Sequence, residues 1–218
     1  RFDRVYEIYQ LRKDIPLIEQ FLQPGESRSL ILVAGSTWEK DEDLLLPFFN
    51  QHPEMKLIIA PHEICENRIQ NIQSRLQRPA VRYSQADETS MQMADCLIMD
   101  CFGLLSSVYR YGQAAYVGGG FGAGIHNILE AAVYAIPVLF GTNYQKFKEA
   151  KELIACSGAF SVSDEETFSE RMNIFLQQPD RLQQSGKSAG DYVQHNLGAT
   201  HKIYENIFPL LTYTTPNT

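Results

Sequence analysis

A cluster of glycines at positions 118–124 is the most distinctive candidate binding site in this sequence. The cluster follows a short apolar run, 114–117, and precedes a stretch with helical periodicity, 127–134. Glycines allow close approach to the backbone, and the free N–H groups at the start of a helix attract anions. We therefore expect this loop to bind a phosphate group, and a tight structural turn is the alternative.

Three polar residues share one face of the helix that should follow the glycines. Glu130 comes one turn after His126 and Asn127, so the three side chains should converge. A carboxylate at that depth is badly placed to bind phosphate and well placed to accept hydrogen bonds from ribose hydroxyls. The combination predicts a nucleotide or a nucleotide sugar as ligand, and the alternative is an incidental surface glutamate.

The spacing Gly118-x-Gly120-x-x-Ala123 also fits a loose dinucleotide-binding pattern, but its place in the chain disfavours NAD and FAD. That pattern normally occupies the first strand–helix turn, whereas this one follows about the fifth predicted strand. The next strand ends at residues 141–143, Gly-Thr-Asn, where a ribose-binding acid would be expected. The sequence has no G-x-x-x-x-G-K-[ST] pattern, which argues against a P-loop ATPase.

Short polar segments after three other predicted strands are further candidates. The carboxyl ends of parallel strands meet at one edge of a sheet, where ligands usually bind. Each segment could instead cap the helix that follows it, and the residue types leave both functions open. The segments are Gly35-Ser36-Thr37, Pro61-His62-Glu63 and Asp100-x-x-Gly103-Leu104-Leu105.

The sequence shows no spacing typical of a catalytic or metal centre. Asp41-Glu42-Asp43 spells a D-x-D motif that can chelate a divalent metal, but acids in the first turn of a helix also complement its dipole, and we favour that role. G-x-S-x-G and H-E-x-x-H motifs are absent. Because no C-x-x-C pair occurs, we expect four buried, reduced thiols, at Cys65, Cys96, Cys101 and Cys156.

The charge balance argues against one class of partner. A formal net charge of -7 over 218 residues disfavours nucleic acid, whose binding needs clustered lysine and arginine. Lys146, Lys148 and Lys151 fit a solvated helix face better than a phosphate-binding patch. No apolar run reaches the roughly eighteen residues of a membrane-spanning helix. No signal peptide is recognisable.

Apolar runs and helical stretches alternate along the chain, which predicts an α/β fold. We expect a Rossmann-like, mostly parallel sheet with helices on both faces. Residues 1–25 should form a lead-in segment, and residues 26–218 one domain with closing carboxy-terminal helices. Capping-box spacings at 142–145 (Thr-x-x-Gln) and 163–166 (Ser-x-x-Glu) predict two helix starts. The predicted strands are 30–34, 56–60, 80–83, 96–99, 114–117, 138–140 and 159–162, and the predicted helices are 41–50, 63–76, 104–111, 127–134, 144–155, 179–196 and 201–211.

In combination, these motifs resemble the 3-deoxy-D-manno-octulosonic acid (Kdo) transferases of lipid A biosynthesis. The resemblance covers nearly the whole chain from Arg1-Phe2-Asp3-Arg4 onward, and the His-Asn-x-x-Glu segment is its most specific part. The segments after the first, second and fourth strands follow the family's order and approximate spacing. The residues that carry it are Gly118-Gly119-Gly120, His126-Asn127-Ile128-Leu129-Glu130-Ala131, Ile136-Pro137-Val138 and Gly141.

Kdo transferases have the GT-B architecture, in which two Rossmann-like halves face a cleft. The resemblance implies that this chain is the carboxy-terminal half, which binds the donor CMP-Kdo. The amino-terminal half would hold the catalytic carboxylate, the acceptor side and the membrane-facing surface. The missing initiator Met and the missing reaction centre agree with that interpretation. We therefore expect this piece to be soluble and inactive alone, and the full enzyme to lie at the cytoplasmic face of the bacterial inner membrane.

The resemblance also implies roles for individual residues. CMP would be held by one segment of the chain, with Glu130 on the ribose hydroxyls, and two turns would add nucleotide contacts. A third group would line the phosphate or the sugar. The CMP segment is His126, Asn127, Ile128, Leu129 and Glu130; the added contacts are Pro61, His62, Phe102, Gly103 and Leu104; the third group is Ser36, Gly119, Gly120 and Gly122.

Three positions depart from the family's pattern. Many members have Arg-His-Pro-Glu-Arg after the second strand, where this chain has Ala-Pro-His-Glu at 60–63, so that arginine has no counterpart there. Ile125 replaces the second glycine of Gly-Gly-His-Asn. Leu104 stands where many members have glutamate after the glycine of the fourth-strand turn.

The implied reaction is metal-independent glycosyl transfer with inversion. A hydroxyl of a lipid A precursor would attack the anomeric carbon, a base in the other half would take its proton, and CMP would leave. N–H groups at a helix start would stabilise the phosphate charge. The other hypotheses are a GT-B enzyme or epimerase that uses a UDP-sugar, a non-catalytic nucleotide-binding module, and an NAD-dependent dehydrogenase.

Overall fold

The computed structural model describes residues 1–22 and 30–198, and within these ranges seven strands form one sheet. All strand pairs are parallel. The strands are β1 (Leu30–Thr37), β2 (Met55–Pro61), β3 (Ala80–Arg82), β4 (Cys96–Ile98), β5 (Ala114–Val117), β6 (Val138–Phe140) and β7 (Ala159–Ser161). Their order across the sheet is β3-β4-β2-β1-β5-β6-β7.

Two helices of the described chain precede the first strand, and at least one helix follows every strand. None of those in the described ranges combines the length and the apolar character that crossing a bilayer requires. The α-helices are α1 (Phe2–Gln10), α2 (Pro16–Leu22), α3 (Glu39–Gln51), α4 (Glu66–Arg75), α5 (Glu88–Met93), α6 (Leu105–Val108), α7 (Leu129–Ala132), α8 (Lys148–Ala155), α9 (Glu165–Gln177) and α10 (Pro179–His195), with short 3-10 turns at Tyr83–Gln85 and Tyr109–Tyr111.

The strands are apolar along their length because helices cover both faces of the sheet. Alternate residues of a strand point to opposite faces, and the core accordingly forms two separate apolar layers. In β1, Val33 packs into one layer, and Leu32 and Ala34 pack into the other. Helices α3, α4 and α9 cover the second layer, and α1, α8 and α10 are among those that cover the first. The predicted α/β class is confirmed.

The strand order reverses beside β1. This strand pairs with β2 on one side and with β5 on the other, where Gly35 is in register with Val117. Strands β2 to β4 therefore occupy one half of the sheet, and β5 to β7 occupy the other. In such sheets the point of reversal opens a crevice at the carboxyl ends of the strands. The loops after β1 and β5 lie at this point.

The segment predicted as a lead-in folds into two helices over its described part. α1 and α2 pack against the first apolar layer, to which they contribute Val5, Ile18 and Phe21. Ile18 and Phe21 are fully buried. The predicted turn at Pro24-Gly25 and the predicted helix 201–211 lie outside the described residues.

Each predicted strand is present, but several predicted helix starts are wrong. At 142–145 the chain turns, with the Gln145 side chain donating to the carbonyl of Thr142, and α8 begins only at Lys148. Asp164, not the serine before it, caps α9 by accepting a hydrogen bond from the N–H of Thr167. An ionised carboxylate accepts a hydrogen bond more strongly than a hydroxyl does, so the aspartate is the capping residue.

The four thiols are free, as expected, but only one of them is fully buried. Cys96 lies inside β4, and Cys101 is partly covered. Cys65 and Cys156 are exposed, so the expectation of burial is wrong for both. They stand at helix ends, where a side chain need not enter the core.

Burial of α2 makes the opening segment part of the domain's stability. We expect Phe21→Ala to lower the free energy of unfolding by about 3–5 kcal/mol, the usual cost of truncating a buried phenylalanine. Urea denaturation measures this loss. Ile8→Ala, on the exposed face of α1, is the control and should cost under about 1 kcal/mol. Equal losses for the two variants would contradict the packing of α2.

Candidate functional site

The loops after β1 and β5 touch, and their contact explains the glycines. The N–H of Gly118 donates to the carbonyl of Gly35 at 2.9 Å. A Cβ atom at Gly118 would lie 2.2 Å from the carbonyl oxygen of Ser36, which no side chain tolerates. Gly119 has a φ of +92°, a left-handed conformation that favours glycine. The glycine loop, residues 118–124, is therefore held tightly against the end of β1.

A buried carboxylate anchors this loop. Asp41 is 1% exposed. Its Oδ1 accepts a hydrogen bond from the Tyr116 hydroxyl at 2.7 Å. Its Oδ2 accepts from the N–H groups of Gly119 at 3.0 Å and Trp38 at 2.9 Å. Asp41 is the third residue of α3, so its bond to Trp38 is the backward half of a capping box. The carboxylate ties α3, β5 and the glycine loop together.

The other two acids of the D-x-D motif are also engaged. Glu42 is buried and accepts hydrogen bonds from Thr37 Oγ1 at 3.0 Å and from Arg68 Nη2 at 2.8 Å. Burial raises the pKa of Glu42 to about 7, although Arg68 opposes the shift. Asp43 pairs with Arg75. Within residues 1–22 and 30–198 no three potential ligands are grouped closely enough to hold a metal ion.

A cleft of about 570 Å³ opens beside the glycine loop. One wall is aromatic. The ring of His62 stacks on Trp38 at a centroid distance of 4.5 Å and lies 4.6 Å from the ring of His126. Trp38 Nε1 donates to His126 Nε2 at 3.4 Å. Gly119 and Gly122 also line the cleft, and Lys40 is the single cation among its lining residues.

Two backbone donors of the glycine loop that border the cleft have no acceptor among the described residues. The N–H groups of Gly119, Gly122 and Gly124 are used within the fold. Those of Phe121 and Ala123 donate to no atom of the described chain. Both residues line the cleft. Free N–H groups next to glycines are the donors that a phosphate oxygen needs.

Asn127 and Glu130 form a separate polar pair. Asn127 Nδ2 donates to Glu130 Oε1 at 2.9 Å, and Glu130 is half-buried. Burial raises the pKa of Glu130, and the hydrogen bond from Asn127 lowers it. Glu130 also adds to the burial effect that raises the pKa of Tyr109. The hydroxyl of Tyr109 occupies the space where a Cβ of Gly35 would be, so this pair lies near the end of β1.

The predicted common face of His126, Asn127 and Glu130 is wrong for His126. α7 begins at Leu129, not at 126 or 127, so His126 precedes the helix and joins Trp38 and His62 instead. Ile128 and Leu129, also predicted to hold the nucleotide, are 1% and 0% exposed in the first apolar layer. Their side chains belong to the core and are not accessible to a ligand.

The segments after β1 and β2 do not cap helices. The residue that caps α3 is Trp38, and Thr37 instead donates to Glu42. Ser36 has a φ of +53°, and its carbonyl oxygen lies against Gly118. After β2, Pro61 is buried, whereas His62 is exposed and lines the cleft.

The segment after β4 forms an exposed turn. Asp100 accepts hydrogen bonds from the N–H and the hydroxyl of Ser84, so it fixes the neighbouring 3-10 turn. Gly103 has a φ of +83°, and Phe102 is 79% exposed. Leu104 stands at the N-cap of α6 without a side-chain hydrogen bond. Gly120, which was also predicted to line the phosphate or the sugar, packs against the backbone of Gly141.

Sequence reasoning missed Trp38. This residue is the chain's one tryptophan, it follows Gly-Ser-Thr directly, and it is 38% exposed at the cleft. A large aromatic side chain at the carboxyl end of a first parallel strand was the available signal. The anchoring role of Asp41 had a weaker signal in the sequence, since its partner Tyr116 lies 75 positions later.

Burial keeps the pKa of His126 below its ordinary value of 6.5, His62 lowers it further, and Asp41 opposes both effects. A neutral ring agrees with the acceptance of a hydrogen bond from Trp38. Because the folded-state pKa is depressed, the unfolded chain binds more protons below pH 6.5. The corresponding stability is complete above that pH and is lost as the pH falls through the folded-state pKa.

The fold and the crevice define a class of protein. The seven-stranded parallel sheet with its glycine loop at the point of strand reversal has the fold found in the carboxy-terminal half of GT-B glycosyltransferases. The carboxy-terminal CMP-Kdo-binding domain of WaaA from Acinetobacter baumannii superposes with a TM-score of 0.68 at 23% identity, over 83% of this chain and 100% of that domain. That likeness shows the fold.

Among glycosyltransferases, the resemblance to Kdo transferases is confirmed. A 3-deoxy-D-manno-octulosonic acid transferase from Aquifex aeolicus is 28% identical over 163 residues, which are 72% of this chain and 45% of that protein. A bifunctional glycosyltransferase/methyltransferase from Fusobacterium nucleatum is 30% identical over 153 residues, 68% of this chain and 24% of that protein. The chain thus spans less than half the length of these relatives. No family model matches it.

Removal of the charge at Asp41 tests its anchoring role. An asparagine offers one acceptor oxygen where the carboxylate offers two, so at least one of the three donors would lose its partner. We expect Asp41→Asn to destabilise the chain by about 3 kcal/mol. Asp43→Asn is the matched control two residues away and should cost under about 1 kcal/mol, because its pair is on the surface. Similar chemical denaturation curves for both variants would refute the anchor.

The aromatic wall predicts an NMR titration. In the native chain we expect the pKa of His126 below 6.5, because its ring is partly buried beside His62. His62→Ala should move that pKa upward, since the substitution removes one cause and exposes the ring. His195→Ala, on the exposed end of α10, should leave it unchanged. A native His126 that titrates at or above 6.5 would contradict the arrangement.

Proposed function

We propose that this chain is the donor-binding half of a glycosyltransferase that moves Kdo from CMP-Kdo to a lipid A precursor. The observation that carries the proposal is the pair of Asn127 and half-buried Glu130, which follows a glycine loop with free N–H groups at the point of strand reversal. The similarity to Kdo transferases supports the choice of CMP-Kdo as donor.

Glu130 would bind the ribose of CMP. Its Oε1 accepts from Asn127, and its Oε2 has no hydrogen-bond partner in the described chain. The hydroxyls of a ribose are donors that fit this oxygen. Because Glu130 is half-buried, a hydrogen bond to its carboxylate is screened less by water than one on the surface.

The glycine loop and the cleft would hold the phosphate and the sugar. The N–H groups of Phe121 and Ala123 are free to bind phosphate oxygens. The cleft's volume of about 570 Å³ is in the range of small-ligand sites. Lys40 at the cleft would attract the carboxylate of Kdo, and the rings of His62 and His126 would pack against the sugar.

We further propose that the transfer needs no metal and that the general base lies in an amino-terminal half of the full protein. The carboxylates of the D-x-D motif are occupied by Tyr116, Arg68 and Arg75, so they are not arranged as a chelating set. The acceptor and the membrane surface would meet the other half. This chain would supply donor binding and no catalytic residue.

Calorimetric titration with CMP, with UDP and NAD as controls, tests the proposed donor. Selective binding of CMP is the expected result. Preference for UDP would favour a UDP-sugar enzyme, and preference for NAD would favour a dehydrogenase; either result would overturn the assignment. Free CMP lacks the Kdo residue, so the titration isolates the nucleotide part of the site.

Glu130→Gln tests the ribose contact. We expect CMP affinity to fall about tenfold or more, which equals about 1.4 kcal/mol or more, because a hydrogen bond to a charged acceptor is lost. The wild-type chain should also bind 2′,3′-dideoxycytidine monophosphate more weakly than CMP, and Glu130→Gln should bind both alike. Glu63→Gln, exposed after β2, is the control. A variant at Glu130 that still discriminates the two nucleotides would refute this role.

A further inference from the structure

A second cavity, of about 410 Å³, borders the edge strand β7, which is three strands from β1 in the order of the sheet. Its walls come from the end of α8, from β7, and from α9 and α10. Residues 156 and 157, which precede β7, border it. The cavity is therefore at the amino-terminal side of an edge strand, whereas the crevice lies at the carboxyl ends of β1 and β5.

Two arginines without ion pairs face this cavity. Arg171 of α9 and Arg181 of α10 both line it. No carboxylate of the described chain forms a salt bridge with either guanidinium, although the chain carries a net charge of -7. Burial lowers the pKa of Arg171, repulsion from Arg181 lowers it further, and Glu170 opposes both effects. An anion between them would relieve that repulsion.

One of the two guanidinium groups is held in place before any ligand binds. The guanidinium of Arg171 stacks on the ring of Phe160, with its Cζ 3.9 Å from the ring centroid. Such stacking fixes the planar group and leaves its edge N–H donors available. An arginine that is already oriented loses less conformational entropy when an anion binds.

A mostly buried serine supplies a second, independent sign of a ligand. Ser185 of α10 is only 9% exposed, lines the cavity, and makes no side-chain hydrogen bond within the described chain. Its oxygen is not one of the fully buried atoms that lack a partner, so it is accessible from the cavity and can donate a hydrogen bond to a ligand there. Ser188, one turn further along α10, lines the same wall.

We propose that this cavity binds a phosphate monoester group. Two guanidinium forks and two hydroxyls present donors from several directions, which suits a tetrahedral dianion better than a planar carboxylate. The group could be carried by a soluble phosphate ester or by a lipid headgroup, and both would offer the same oxygens. The site shares no lining residue with the cleft beside the glycine loop. It stands independently of the proposed donor.

Titration of the chain with inorganic phosphate at constant ionic strength tests the site. We expect saturable binding that shifts the NMR signals of the Arg171 and Arg181 Nε–H groups. Arg181→Gln should weaken the affinity about tenfold, and Ser185→Ala should weaken it several-fold. Arg4→Gln, an exposed arginine on α1, is the matched control and should bind as the wild type does.

Two outcomes would overturn the proposal: no saturable phosphate binding, or equal affinity for wild type and Arg181→Gln. Arg181 is exposed, so its variant should fold, and its unfolding midpoint verifies this. A repeat with saturating CMP separates the two sites, since phosphate at this cavity should still bind. If the chain binds phosphate here but never CMP, the donor assignment fails and this site stands.

Vesicle sedimentation identifies the source of the group. Phosphatidylcholine vesicles with and without phosphatidic acid would be compared for wild type and Arg181→Gln. Sedimentation that needs both phosphatidic acid and Arg181 supports the site with a lipid headgroup as ligand. Binding of free phosphate without sedimentation supports it with a soluble ester. Sedimentation equal for both chains would show that another surface holds the vesicle, and would overturn a headgroup as ligand.

Discussion

The carboxylate of Asp41 accepts hydrogen bonds from the start of α3, from the end of β5 and from the glycine loop. Burial of an ionised group costs free energy unless its oxygens are satisfied, and three donors satisfy these two oxygens. The arrangement brings Gly119 into its left-handed conformation beside the end of β1. The cleft and the free N–H groups of the loop depend on that placement.

The candidate site combines two kinds of construction. Backbone donors of the glycine loop are rigid, because the glycines pack against the end of β1 and against Gly141. Side chains around them are grouped by type: an aromatic wall of Trp38, His62 and His126, and the polar pair that contains Glu130. Such a division suits a ligand with a charged centre and two chemically different ends, as a nucleotide sugar has.

The sheet could be predicted from sequence because each strand is buried on both faces and therefore reads as a continuous apolar run. The run 56–60 became β2 almost unchanged. The start of α7 could not be predicted, since residues 126–128 have helical periodicity but are placed by contacts with Trp38 and the core. The role of Tyr116 could not be predicted either, because it belongs to an apolar strand and the partner of its hydroxyl belongs to a distant segment.

The bond between Tyr116 and Asp41 joins residues 75 positions apart, one in β5 and the other in the helix that follows β1, and these two strands are neighbours only in the finished sheet. A partly folded chain that lacks the β1–β5 pairing has no glycine-loop site at all. Any ligand of this loop therefore binds the native state alone and stabilises it by mass action, in proportion to the logarithm of its concentration above the dissociation constant. A ligand that contacts only a few atoms of the loop would thus make the whole domain more resistant to heat, proteolysis and hydrogen exchange.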